Sequence, residues 1–196
     1  ENYFEGDRVK ALLKAVQESD IGRAEIVLSR NDPMFVAQLL TVEVPEIEEK
    51  TVFIKDVFRE PGLRSKVIVH SDGDPRVDPK GACIGLKGCR IKTVIRELND
   101  ERIDIIVDTP NIDELLHQAI GDQVDVLKLK ETKHEYTIVV SDEDFPRVIG
   151  RKGSNARLLD KLVDKTVKVE KMSIYKQKEQ IRRIEALNDE NNQNLD

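Results

Sequence analysis

Ile84-Gly85-Leu86-Lys87-Gly88 and Ile149-Gly150-Arg151-Lys152-Gly153 are two copies of one short pattern, an isoleucine followed by Gly-x-x-Gly. The surroundings repeat as well. An apolar run precedes each copy, a basic and apolar segment of helical period follows it, and a strand-like segment comes next. A lone Gly-x-x-Gly is weak evidence, because most such matches are turns at helix ends. Two copies in matching surroundings, about one small domain apart, mark an internal repeat.

The elements around the first copy follow from local signals. Asn31-Asp32-Pro33 starts a helix, with Asp32 as cap and Pro33 in the first turn. Phe35, Val36, Leu39 and Leu40 then recur at helical spacing over residues 33–41, and Val44-Pro45-Glu46-Ile47 closes the segment. Thr51 to Phe58 and Lys66 to His70 are β-rich runs that the Pro61-Gly62 turn joins as an antiparallel hairpin. A short segment from Pro79 to Ile84 enters the glycine pattern. Ile91, Val94, Ile95 and Leu98 share a helical face behind it, and Arg102 to Val107 alternates as a strand.

The second copy repeats this order. Asn111 to Ile120 is a helix burying Leu115, Leu116, Ala119 and Ile120, followed by strands Val124 to Lys130 and Tyr136 to Val140. A short helix from Asp142 to Ile149 leads into the bend. Ala156, Leu158, Leu159, Leu162 and Val163 form the next helical face, and Thr166 to Val169 is a last strand. Helix-strand-strand-helix-helix-strand thus occurs twice, a tandem α+β arrangement. Ahead of it, Val9 to Val16 and Glu25 to Leu28 read as two short strands. Behind it, Ile174 to Leu187 reads as a helix with a thin apolar stripe, and the Asn- and acid-rich chain after Asn188 as disordered.

Composition sets the outer limits. Across 196 residues the net charge is −6, with 36% charged and only 4% aromatic residues. This implies small aliphatic cores and excludes a protein that coats nucleic acid indiscriminately. The positive charge is local. Lys80, Lys87, Arg90, Lys92 and Arg96 fall in a stretch without an acid, and Arg147, Arg151, Lys152, Arg157 and Lys161 face Asp160 alone. No segment approaches the roughly 20 apolar residues of a membrane span, and no signal peptide is evident. The lack of an initial Met implies a fragment or a processed chain. Cys83 and Cys89, the only cysteines, lack the further ligands of a zinc site, and their sparseness fits a reduced, cytoplasmic setting. His70, His117 and His134 lie in different elements, and no nucleophile triad, P-loop or metal motif is present. The expectation is a binding protein without cofactor, metal site or catalytic residues.

Glycine at both ends of the bend permits a tight turn and lets a polymer backbone approach without a Cβ in the way. The helix that follows points N–H groups and the positive end of its dipole at the bend, which suits phosphate. Lys87, and Arg151 with Lys152, add mobile positive charge, so the second bend should attract a polyanion more strongly than the first. This layout resembles the KH domain, whose Gly-x-x-Gly loop grips about four single-stranded nucleotides.

A more specific likeness lies in longer segments. They are Glu1-Asn2-Tyr3 to Gly6-Asp7-Arg8-Val9-Lys10; Val27-Leu28-Ser29-Arg30; Val42-Glu43-Val44-Pro45-Glu46-Ile47; Arg59-Glu60-Pro61-Gly62; Val77-Asp78-Pro79 with Gly81-Ala82-Cys83-Ile84-Gly85; Ile103-Asp104-Ile105-Ile106; and Ile149 to Leu158. Together they resemble the NusA family of transcription elongation factors over roughly residues 1–170. The resemblance implies a bacterial cytoplasmic factor that binds RNA polymerase, other Nus-type factors and the nascent transcript, acting in pausing, termination and antitermination. It implies the end of an S1 domain at residues 1–32, too short to close a five-stranded barrel, and type II KH domains at 33–108 and 109–171. A C-terminal helix and polar tail occupy 172–196. It also implies RNA contacts at Gly85, Leu86, Lys87 and Gly88 and at Gly150, Arg151, Lys152 and Gly153, with Arg90, Asn155 and Arg157 as additional contacts. A ribosome-associated KH protein and a protein-interaction scaffold are the competing readings.

Overall fold

The computed structural model describes residues 3–18, 20, 22–73 and 76–193, with side chains through residue 186. The chain divides into two compact units, Glu1–Asp108 and Thr109–Asp196.

In the first unit, β1 (Leu12–Glu18) and β2 (Ala24–Ser29) form an antiparallel ribbon with a bulge between Leu13 and Ala15. β1 starts at Leu12, three residues later than the alternation suggests. Part of the intervening turn, at residues 19 and 21, lies outside the described residues. Helix α1 (Pro33–Glu43) starts where the sequence signals place it: Asp32 accepts from the Met34 N–H at 3.0 Å, and Pro33 occupies the first turn. A one-turn helix, α2 (Pro45–Glu48), leads to β3 (Val52–Glu60), β4 (Arg64–Ser71), α3 (Pro79–Ile84), α4 (Cys89–Glu97) and β5 (Arg102–Val107). The sheet order is β3-β4-β5, antiparallel then parallel. A parallel pair needs a crossover, and α3 with α4 supplies it. Phe35, Val36, Leu39 and Leu40 of α1 pack with Val67 and Val69 of β4 and with Val94 and Leu98 to form the core.

The second unit repeats the topology. It contains α5 (Ile112–Ile120), β6 (Val126–Glu131), β7 (Glu135–Val140), α6 (Phe145–Ile149), α7 (Ser154–Val163) and β8 (Thr166–Lys171), with sheet order β6-β7-β8. Asn111 caps α5, and the four residues expected on its inner face are buried. Helix α6 begins at Phe145, not Asp142, because Ser141 and Asp144 bond each other and Pro146 belongs in a first turn. Both units are type II KH folds, helix-strand-strand-helix-helix-strand with a parallel closing strand.

Helix α8 (Met172–Gln193) corrects one expectation, since it runs past Asn188, where a disordered tail was expected. Residues 176–187 are rich in the good helix formers Lys, Gln, Glu, Arg, Ala and Leu, and the helix carries on from them into residues 188–193 although Asn and Asp there are weak formers. Tyr175 anchors its first turn, 4% exposed, beneath the Lys128 and Lys130 ammonium groups. The final three residues lie outside the described residues.

One buried ion pair ties the first unit together. Arg59 Nε and Nη2 each lie 2.9 Å from the Glu101 carboxylate, which is fully buried and also accepts from Gly62 N–H and Ser65 Oγ. Arg59 Nη1 donates to the carbonyls of Arg30 and Asp32. A second clasp joins Arg30 to the Glu97 carboxylate and carbonyl. Truncating one partner of a buried pair strands the other, so Glu101→Ala should destabilise the chain by about 3–5 kcal/mol. Urea denaturation followed by circular dichroism tests this, and a loss under about 1 kcal/mol would contradict the assignment.

Candidate nucleic-acid interface

The two glycine patterns fold into the same bend. Gly85 has φ 73°, ψ 170° and Gly150 has φ 75°, ψ 174°; Lys87 and Lys152 both have φ 53°; Gly88 and Gly153 are left-handed at φ 75° and 72°. In each, a single 3₁₀ turn is closed by the N–H of the second glycine on the carbonyl of the first. The conformation of Gly85 and Gly150 is one that only glycine adopts without strain.

Each bend is held by two side chains from the helix behind it. The first comes two positions after the second glycine. Arg90 Nη1 reaches back to the Ala82 carbonyl at 2.7 Å, and Asn155 Nδ2 to the Val148 carbonyl at 2.8 Å. The first glycine makes room for it: a Cβ on Gly85 would lie 2.7 Å from Arg90 Cγ, and one on Gly150 2.9 Å from Asn155 Cβ. The second side chain comes four positions after the second glycine. Lys92 Nζ donates to the Lys87 carbonyl at 3.0 Å, and Arg157 Nη1 to the Lys152 carbonyl at 2.7 Å. The bends are thus alike in backbone angles and in fastening, although their sequences share little beyond the glycines and the lysine.

Leu86, Lys87, Arg151, Lys152 and Arg157 are exposed, Leu86 at 83%, and the four glycines are half-buried. Two residues expected as contacts are already engaged within the fold. Asn155 is fully buried, with its amide nitrogen spent on Val148 and its Oδ1 without a hydrogen-bond partner, so it braces the bend from inside. Arg90 is half-buried, with Nη1 shared between Ala82 and both carboxylate oxygens of Glu46. Lys92 and Glu46 were not among the expected site residues. The signal for Lys92 was the shared offset from the second glycine that it has with Arg157. Glu46 had none, since its partner lies 44 positions away.

Beside the first bend a cavity of about 490 Å3 is lined by Glu46, Val77, Gly81, Ala82, Leu86 and Arg90, among others. Behind it Cys83 is buried, and burial, then the neighbouring Glu46 charge, pushes its thiol up to about 11, which makes it inert packing. Cys89 is exposed at the first position of α4. Among the described residues no cluster of His, Cys, Asp and Glu is arranged to hold a metal, and no helix is long and apolar enough to cross a membrane.

With this geometry in view, comparison with known proteins is specific. Residues 30–108 match the model of the NusA-like first KH domain, and residues 111–177 that of the NusA-like second KH domain. The chain is similar to transcription termination/antitermination proteins NusA. It is 38% identical to that of Borreliella burgdorferi over 177 residues, which is 89% of this chain and 36% of the relative. It is 40% identical to that of Halalkalibacterium halodurans and 39% to that of Bacillus subtilis. Each match spans 164 residues, 83% of this chain, and 42% and 43% of the respective relatives. The chain therefore spans about two fifths of the length of the curated relatives it matches.

The bend geometry ranks the glycines. Gly150→Ala puts a Cβ 3.0 Å from the Asn155 backbone nitrogen at glycine-only angles. Gly153→Ala occupies the milder left-handed region and approaches only the Arg157 tip, at 3.4 Å. Thermal unfolding should therefore show Gly150→Ala as the costlier, by about 1–2 kcal/mol. Equal midpoints would contradict the ranking.

Proposed function

The chain belongs to the NusA family, and on that premise we propose that it binds single-stranded RNA at its two glycine bends, as the KH region of a transcription termination/antitermination factor. The observation that carries this reading is the duplicate bend. It has the same backbone angles, the same two fastenings and a helix N-terminus behind it, twice in one chain. Left-handed glycines bring a polymer backbone close, and the helix behind each bend points its positive end at bound phosphate. Gly85, Leu86, Lys87 and Gly88, with Gly150, Arg151, Lys152 and Gly153, are the contact positions. Arg90 and Asn155 shape the bend from behind.

The chemistry differs between the copies. Arg151 and Lys152 give the second bend two cations, while Leu86 and Lys87 give the first one cation and one exposed apolar side chain. The second bend then supplies most of the phosphate attraction, and Leu86 offers van der Waals contact to a base or ribose. Paired sites on one chain also raise effective concentration for a transcript long enough to reach both.

Residues 1–32 fit the closing strands of an S1-type barrel. Leu13 faces Leu28 and Val16 faces Ile26 across the ribbon, and all four are about 60% exposed, as expected of a barrel wall. In the whole protein the partners are the nascent transcript, RNA polymerase and other Nus-type factors, in the cytoplasm, with no catalysis by this region.

Titration with a single-stranded RNA tests the reading. The wild-type chain should bind with a log-affinity slope of about −2 to −4 against log salt, as three to five neutralised phosphates require. Lys87→Asp should weaken binding several-fold, and Arg151→Asp with Lys152→Asp by about tenfold or more, with folding intact because these side chains are exposed. A flat salt response, or binding indifferent to both reversals, would turn the assignment toward a protein-binding scaffold.

A further inference from the structure

The basic residue four positions after each second glycine, Lys92 in one copy and Arg157 in the other, recurs in type of charge, in partner and in its course past that glycine. Each donates to the carbonyl of the left-handed lysine in its bend. Each side chain also runs past its second glycine within ordinary contact distance, since a Cβ on Gly88 would lie 3.4 Å from Lys92 Cε and one on Gly153 3.4 Å from Arg157 Nη1.

The helix dipole gives no reason for a cation at these positions. A positive side chain in the first turn opposes the macrodipole, and helix stability favours an acid there. α5 follows that rule with Asp113 and Glu114 in its first turn, whereas α4 and α7 have no acid in theirs. A neutral residue at either position would suit the isolated helix better.

From this recurrence we propose that Lys92 and Arg157 are positioning residues for the RNA backbone, a role that rests on the RNA-binding reading above. By holding the carbonyl of Lys87 or Lys152, each fixes the peptide on which that lysine stands. The lysine's own ammonium is thereby aimed outward, where a phosphate arrives. The donor acts through its neighbour and is not itself a phosphate contact. Arg157 therefore moves from the contact set to the support set, and Lys92 joins it.

The test compares three forms of the chain by titration with a single-stranded oligonucleotide at several salt concentrations. They are the wild type, Lys92→Met with Arg157→Met, and the exchange Lys92→Arg with Arg157→Lys. The Met pair should bind about tenfold more weakly with an unchanged thermal midpoint, and the exchange pair should stay within about threefold of wild type, because either cation can donate to the carbonyl. The salt slope of the Met pair should stay within about 0.7 of wild type, less than one lost phosphate contact per site. Unchanged affinity in the Met pair, or an exchange pair as weak as the Met pair, overturns the proposal. A slope shallower by about 0.7 for each residue also overturns it, by making both residues direct contacts. Absence of wild-type binding is a separate result that removes the RNA reading itself and this role with it.

Discussion

The architecture turns on a backbone constraint. In each unit two helices must meet almost end to end, with four residues between the last of one and the first of the next. L-residues cannot make that turn without entering the positive-φ half of φ/ψ space, and both bends enter it at three of four positions. Glycine takes two of them at little cost, while Lys87 and Lys152 sit at φ 53° with their carbonyls bonded from the helix behind. The side chains that hold them come from the first turns of α4 and α7. The bend and the helix behind it are therefore one folded object, and what the bend can present to a ligand is set by residues that a pattern search ignores.

Much of this was legible in the sequence. The repeat, the order of elements, the Asp32 and Asn111 caps, the Pro61-Gly62 turn and the inner face of α5 all rest on short-range signals, and each stands where those signals put it. The bends were legible because glycine at fixed spacing reports backbone geometry directly. What stayed hidden depends on distance along the chain. Nothing near Arg59 announces that its guanidinium meets Glu101, 42 residues on, or that it gathers carbonyls from Arg30 and Asp32. The burial of Asn155 was hidden for a different reason. A polar residue in a basic stretch reads as surface until the fold shows that its amide substitutes for a missing partner of the Val148 carbonyl.

The two copies also show how one backbone device tolerates different chemistry. At the position two after the second glycine, Arg90 and Asn155 do the same work with different reach. The short amide must be swallowed whole, whereas the long guanidinium stays half-exposed and can also engage Glu46 of α2. The first bend thereby acquires a tie to the segment preceding its sheet, beside the cavity at Gly81 and Ala82. Divergence of this kind lets duplicated units keep their shape while their surfaces specialise.

The clasp between Arg30 and Glu97 has a mechanical consequence. Glu97 ends α4, and Cys89, at its other end, adjoins the first bend. Nine helical residues make a stiff strut of about 13 Å. Arg30 follows directly on the β-ribbon, so a tug on the ribbon passes along that strut to Gly88 with little slack. Strain applied upstream would thus be felt at the anchoring turn as tension.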